Sequence, residues 1–455
     1  MTRDEGSAGR VFRRSAQEPP LVAAHATGST IVDTQGREYI DAAGGAIVVG
    51  VGHGRPEIAA VMADQAGRLA YAHGSAFTTE PVEAYAAEVA RYLPLDDPAI
   101  YPVSGGSEAI ETALKLVRAY HLARGDAGRW IVLSRWGSYH GNTLGALDLS
   151  GRKNLRRPYE GWLGRFRHVS AAYPYRGGES GSNALADTDE LVAELERAID
   201  AADPDTVAAF VAEPVVGATL GGVVPPDDYW PRIAEVCHRH GVLLVADEVM
   251  TGFGRTGRWF GVDHWSVRPD ILVAAKGATS GYWPFGFVAA SAEVYDTVAA
   301  AGPFVHGFTY SHSPVGAAVA REVLAILERE DLVAASAVKG ELLRSRLRDR
   351  FDGHGSVGEV RGLGLLVGIE LVADVASRRP FPRSAGVTEA VVRGARDRGV
   401  LVYSSTGAAD GIDGDVIVLG PPFVITEAEI DRVVDGVAAA VDAATAKAAA
   451  AAAAG

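Results

Sequence analysis

The run Val242-Leu243-Leu244-Val245-Ala246-Asp247-Glu248 decides the fold. Five apolar residues without polar alternation predict a strand buried on both faces, and this one stops abruptly at two acids. The same pattern recurs on either side. Residues 207–212 run into Glu213-Pro214, and residues 271–275 run into Lys276-Gly277. Another apolar run is Ile131-Val132-Leu133, and a helical pattern covers 229–240. Buried strands alternating with helices predict an α/β fold with a mostly parallel sheet covered by helices. Ligands in such sheets sit at the carboxyl ends of the strands. A lone charge there is usually a solvated turn residue, but Glu213, Asp247 and Lys276 leave three strands of one sheet. A lysine ending an apolar run also has the surroundings that lower an amine pKa and permit Schiff-base chemistry.

Outward from this centre, short strands are expected at 29–33 and 38–41, around the turn Gln35-Gly36. Beyond Thr309, helices are expected at 315–330, 333–351 and 388–398, strands at 364–370 and 416–419, and a last helix from Glu427. The organisation expected is an N-terminal arm plus part of a small domain (1–55), a large domain (56–312), and a smaller α+β domain (313–447). An alanine-rich tail (448–455) follows, and the first 20 residues read as a polar arm.

The chain has 455 residues, with 43 Lys+Arg against 57 Asp+Glu and a formal charge of −14. That acidic balance argues against nucleic acid as a partner, because phosphate backbones demand cationic surfaces. Hydrophobic residues at 48% and charged residues at 22% describe a globular chain able to bury a large core. No segment has the length of a membrane span, and residues 1–14 lack the apolar core of a secretory signal, so a cytoplasmic protein is expected. Cys237 is the one cysteine, which rules out an internal disulfide and a Cys-based zinc site.

Two more segments carry chemistry. Ser104-Gly105-Gly106-Ser107-Glu108 precedes a helix expected over 109–122. Glycines let backbone approach an anion, and a helix N-terminus offers free N–H donors and a favourable dipole. Tyr139-His140-Gly141 places an aromatic ring where it could stack on a flat ligand. A hydrolase with Ser138 or Ser107 as nucleophile would need a G-x-S-x-G elbow, and none occurs. No H-E-x-x-H occurs either, and no metal site is expected. Gly252 to Gly257 fits G-x-G-x-x-G but opens no helix, which leaves a nucleotide-dependent oxidoreductase with little support.

In order along the chain stand Asp41-Ala42-Ala43-Gly44-Gly45, Ser104 to Ala109, Tyr139-His140-Gly141, Glu213-Pro214 and Ala246-Asp247-Glu248-Val249. Gly252 to Gly257, Lys276-Gly277, His306-Gly307-Phe308-Thr309-Tyr310-Ser311, Arg361-Gly362-Leu363-Gly364 and Pro421-Pro422-Phe423 follow. From about Thr30 to Thr426 this set resembles the class III, or ω-type, pyridoxal-phosphate-dependent aminotransferases. The resemblance implies fold type I, pyridoxal 5′-phosphate as cofactor and an obligate homodimer. It implies that Lys276 forms the Schiff base with the cofactor and that Asp247 keeps the pyridine nitrogen protonated. Gly106 and Ser107 would bind the phosphate, Tyr139 and Val249 would cover the two ring faces, and His140 would lie in the cofactor site. Glu213 would sit on the substrate side, paired with an arginine, and Thr309 would reach the phosphate of the partner subunit's cofactor. The substrates implied are an amine or ω-amino acid donor and a 2-oxo acid acceptor. Racemases, aminomutases and decarboxylases use the same residues, and a homologue without catalysis would not need both Lys276 and Asp247.

One departure stands out. Many family members carry a mobile arginine shortly before Pro-Pro-Phe, which clamps a substrate carboxylate. Here residues 403–420 hold no Lys or Arg, but Asp410, Asp413 and Asp415. Either this is a solvated acidic loop whose task has passed to Arg255, Arg361 or another residue, or the donor lacks an α-carboxylate.

Overall fold

A computed structural model describes residues 10–12, 14, 20–178 and 182–454. The arm expected over 1–20 lies mostly outside these residues. Seven strands form the main sheet, in the order Ala99–Val103, Gly286–Ala290, Ile271–Ala274, Leu243–Asp247, Val207–Ala212, Ile131–Arg135 and Arg167–Val169. The last five pair in parallel. Gly286–Ala290 is antiparallel to both of its neighbours. Its connection from Ile271–Ala274, residues 275–285, holds no α-helix, and a parallel return needs a crossover of a dozen or more residues.

Register aligns the strand ends. Ala246 lies opposite both Ala212 and Leu272, and Asp247 lies opposite Val273. Glu213, Asp247 and Lys276 therefore emerge at one end of adjacent strands. Side-chain alternation splits each strand between two cores. Phe210, Leu244, Leu272 and Phe287 pack on one face with Trp230. Ala209, Val211, Val245, Val273 and Val288 pack on the other with Ile110, Ala113 and Val117. Each large apolar side chain fully removed from water contributes about 1.5–3 kcal/mol. Those last three residues belong to helix Gly106–Ala123, which starts three residues earlier than expected and so takes Gly106 and Ser107 into its first turn.

The two ends of the chain meet. Strand Glu38–Asp41 pairs antiparallel with Thr30–Asp33 and parallel with Val400–Leu401. The strand expected at 364–370 is Leu366–Leu371, the second half of a hairpin with Val357–Leu363 that turns at Gly364, where φ is +50°. The last helix, Glu427–Ala454, runs on through the alanines. Among the described residues no helix is long and apolar enough to cross a membrane.

The 403–420 stretch is a folded hairpin, with Asp410 exposed at its tip and Asp415 buried in its second strand. Tyr403–Thr406 pairs antiparallel with Asp415–Leu419. Asp415 is buried and accepts bonds from the Thr388 amide (3.1 Å) and hydroxyl, at the start of helix Val387–Asp397. Asp413 accepts from the Arg383 amide at 2.7 Å, and Asp410 from the amides of Ile412 and Asp413. These carboxylates are engaged in holding backbone.

Candidate active site

The carboxyl ends of the parallel strands open into a cavity of about 400 Å³ whose wall includes Gly106, Ser107, Tyr139, Glu213, Asp247 and Lys276. Lys276 stands two residues past the end of its strand and adopts φ +40°, a left-handed conformation that an L side chain visits only at a cost of order 1–3 kcal/mol. Among the described residues its Nζ has no hydrogen-bond or ion-pair partner. Burial pulls this amine down to about 8, with Arg255 adding to the effect and Asp247 and Glu213 opposing it. A lysine in this state has a sizeable neutral fraction near neutral pH and is a competent nucleophile toward a carbonyl.

Asp247 is buried and fixed at both oxygens. His140 Nδ1 lies 2.6 Å from its Oδ2, and the Val249 amide donates to Oδ1 at 3.1 Å. His140 is buried too, with Nε2 3.1 Å from Ser134 Oγ and its amide donating to Ser150 Oγ at 2.8 Å. His140 lines the cavity, and its ring nitrogens are taken up by Asp247 and Ser134.

Glu213 is the second carboxylate in the wall. It accepts from the Tyr139 amide at 3.1 Å and the Gly217 amide at 3.4 Å. Burial pushes it up to about 7, against the attraction of His140. The arginine pairing expected for Glu213 is not made among the described residues. Arg135 Nη2 donates to the main-chain oxygen of Glu213 at 2.5 Å, not to the carboxylate.

The corner at the start of helix Gly106–Ala123 is built by close approach. A Cβ on Gly106 would stand 2.9 Å from Val249 Cγ1, and one on Gly141, at φ +139°, would collide with Ser107 Oγ. Ser107 Oγ accepts the Asn142 amide at 3.1 Å, which ties the helix start to the Tyr139-His140-Gly141 turn. The first amides of an α-helix have no intrahelical acceptors and point outward. An unpartnered amine, a fixed carboxylate and a glycine-floored helix N-terminus thus share one cavity. They complement an aldehyde, a protonated ring nitrogen and a phosphate, the three polar features of pyridoxal 5′-phosphate, so the residues fit that group.

Comparison with known proteins agrees. The aminotransferase class-III family model matches residues 11–441. The chain belongs to the class III aminotransferases. It is a pyridoxal-phosphate-dependent transaminase of fold type I. An uncharacterized aminotransferase of Bacillus subtilis, YodT, is 38% identical over 414 residues, covering 91% of this chain and 93% of its own. A putrescine–pyruvate aminotransferase of Pseudomonas aeruginosa is 35% identical, covering 93% and 91%. The crystal structure of a thermostable (S)-enantioselective ω-transaminase from Thermomicrobium roseum superposes with a TM-score of 0.89 at 39% identity, covering 96% of each chain.

The site of this aminotransferase contains residues the sequence did not disclose. Val48, Met250, Trp283 and Phe285 also line the cavity. The aromatic cluster Tyr282-Trp283-Pro284-Phe285 between two glycines was a readable signal, whereas Val48 and Met250 come from irregular turns. Thr309 is exposed and is not part of this wall. Around it Val305 is 91% and Tyr310 71% exposed, and Tyr310 meets Tyr71 edge to face.

Neither arginine considered for the carboxylate clamp is available. Arg255 is buried and donates to the carbonyls of Val49, Leu365 and Pro421. Arg361 is held by Glu359, Glu370 and the carbonyls of Leu220 and Gly221.

Proposed function

We propose that this aminotransferase takes its amino group from a carboxylate-free amine, a diamine or an ω-amino acid and delivers it to a 2-oxo acid. The observation that carries the reading is the cation inventory of the cavity wall. Lys276 is the one lysine or arginine in it among the described residues, so nothing there clamps the carboxylate of an ordinary α-amino acid donor. Relatives named for putrescine–pyruvate and for diaminobutyrate–2-oxoglutarate transamination, each 35% identical, support a donor with a remote or second amine.

Bound pyridoxal phosphate supplies the electron sink that lets a bond at the substrate's amine-bearing carbon break. The residues of the chain orient and protonate. Lys276 holds the cofactor and, once released by the donor amine, carries the proton from the substrate carbon. Asp247, fixed by His140 and the Val249 amide, keeps the ring nitrogen protonated. Gly106 and Ser107 bind the phosphate at the helix N-terminus, Tyr139 covers one ring face, and Val249 presses on the other. Glu213 lies on the substrate side, where it favours a cationic donor over an anionic one. The enzyme acts as a cytoplasmic homodimer, with Thr309 at the phosphate of the partner subunit's cofactor. The exposed apolar residues around Thr309 support that arrangement.

The test is a donor screen with no acceptor present. Carboxylate-free amines and diamines should each release one equivalent of carbonyl product per active site, faster than alanine or glutamate. A racemase would release none, and a strong preference for an ordinary α-amino acid would overturn the donor class.

A further inference from the structure

Glu213 is an acid without a cation. It is buried in the wall of the Lys276 cavity. Its Oε2 accepts the Tyr139 amide at 3.1 Å and its Oε1 the Gly217 amide at 3.4 Å. Both donors are neutral, and among the described residues no lysine or arginine side chain bonds either oxygen. A carboxylate offers about four acceptor directions, so each oxygen keeps room for a further donor.

Arg135 is the converse, a cation without an acid. It ends strand Ile131–Arg135 and is 1% exposed. Its guanidinium lies over the rings of Tyr229 and Trp230, 5.6 and 5.8 Å from their centres. Nη2 donates to the main-chain oxygen of Glu213 at 2.5 Å, and Nη1 reaches the Tyr229 hydroxyl at 3.4 Å. Its Nε has no partner among the described residues. An arginine keeps its charge in a protein interior, and burying that charge without an acid is costly. The same turn is held again one residue on, where Trp230 Nε1 donates to the Pro214 carbonyl at 3.1 Å. Arg135 and Trp230 thus fix the main chain of Glu213-Pro214 from the core, while the two amides fix the Glu213 side chain. Burial raises the Glu213 carboxyl most, His140 draws it down, Asp247 pushes it up, and Arg135 draws it down again. Lys276 interacts with it as well.

We propose that Arg135 is a positioning residue that presents the Glu213 carboxylate, as an anion, to the second ammonium of a diamine donor. The cavity then reads two amines: one is transferred, and the other lies against Glu213. A monoamine without a carboxylate leaves that acid without a partner. This rests on the donor reading above and narrows it to diamines.

The experiment compares wild-type holoenzyme with Arg135→Gln, Arg135→Lys and Glu213→Gln. The acceptor is pyruvate, and the donor is either putrescine or pentylamine, which carries a methyl group where the diamine carries its second amine. Assays run from about pH 6 to about pH 9, below the range in which alkyl ammonium groups lose their proton. The ionisation of Lys276 acts on both donors alike and cancels in the ratio of their kcat/KM values. In the wild type this ratio should rise roughly 10- to 100-fold in favour of putrescine as Glu213 ionises, with its midpoint at about 7. Arg135→Gln keeps a donor for the Glu213 carbonyl but loses the charge, and should move the midpoint up to about 8 or beyond. Arg135→Lys keeps the charge and should hold the midpoint close to wild type, and Glu213→Gln should flatten the ratio. An Arg135 that only supports the fold would slow both donors alike and leave the midpoint in place, which would overturn the proposal. A pH-dependent preference surviving in Glu213→Gln would overturn it too. Wild-type enzyme that transaminates pentylamine without preferring putrescine at any pH would overturn the diamine subsite alone. No carbonyl product from either amine would overturn the donor reading itself.

Discussion

His140 Nδ1 lies 2.6 Å from Asp247 Oδ2, and the same ring reaches Ser134 Oγ with Nε2 at 3.1 Å. The Val249 amide holds the other oxygen of Asp247, so the carboxylate cannot turn away from the cavity. An opposite charge at hydrogen-bond range shifts a pKa by about 1–3 units, so Asp247→Asn should lower kcat roughly 10- to 1000-fold. His140→Gln keeps a donor but loses the rigid ring, and should lower kcat less while leaving KM for the amine unchanged. Steady-state kinetics of the two variants check this, and a wild-type kcat in Asp247→Asn would remove that residue from its role.

The pH dependence of cofactor capture follows from Lys276. Capture needs the neutral amine, and burial lowers this lysine from 10.5 to about 8. The rate at which cofactor-free enzyme takes up pyridoxal phosphate should therefore climb with pH and level off above about pH 8. The same shift acts on stability. Between about 8 and 10.5 the unfolded chain holds this proton and the folded one does not, so the lysine's contribution to the stability of the cofactor-free protein rises with pH across that window. Stopped-flow uptake against pH checks the first point, and a midpoint near 10.5 would show an unperturbed lysine.

The corner at Gly106 is tight enough to test by one carbon. Gly106→Ala puts a Cβ 2.9 Å from Val249 Cγ1, and overpacking of this kind costs about 1–3 kcal/mol. The variant should bind pyridoxal phosphate more weakly and regain activity when cofactor is added in excess. Equilibrium titration of the cofactor-free protein measures it.

What could be read in advance follows the physics of burial. The strands at 207–212, 243–247 and 271–274 announce themselves because both faces are covered and no polar residue interrupts them. Their ends gave Glu213, Asp247 and Lys276. Ala99–Val103 was illegible because Pro102 sits inside it, and Gly286–Ala290 because it follows an aromatic, glycine-bounded turn without a helical spacer. Val48 and Met250 reach the cavity from irregular segments, whose positions tertiary packing sets. The fate of Arg255 was equally hidden, since backbone carbonyls carry no sequence signature.

Assembly gives a further prediction. Thr309 is exposed on its own chain, next to exposed Tyr310, whose ring meets the exposed Tyr71, and four residues after exposed Val305, apolar surface that water alone would not favour. Sedimentation should show a homodimer at working dilution, and Thr309→Asp should weaken cofactor binding by placing a like charge near the phosphate. A fully active monomer would contradict the shared site.

Lys276 is the residue on which every proposed role in the site depends. Holoenzyme reduced with borohydride, digested and sequenced by mass spectrometry should carry the pyridoxyl group on Lys276, and Lys276→Ala should fold, lack that label and fail to transaminate. A label on any other lysine, or near wild-type turnover by Lys276→Ala, would contradict it.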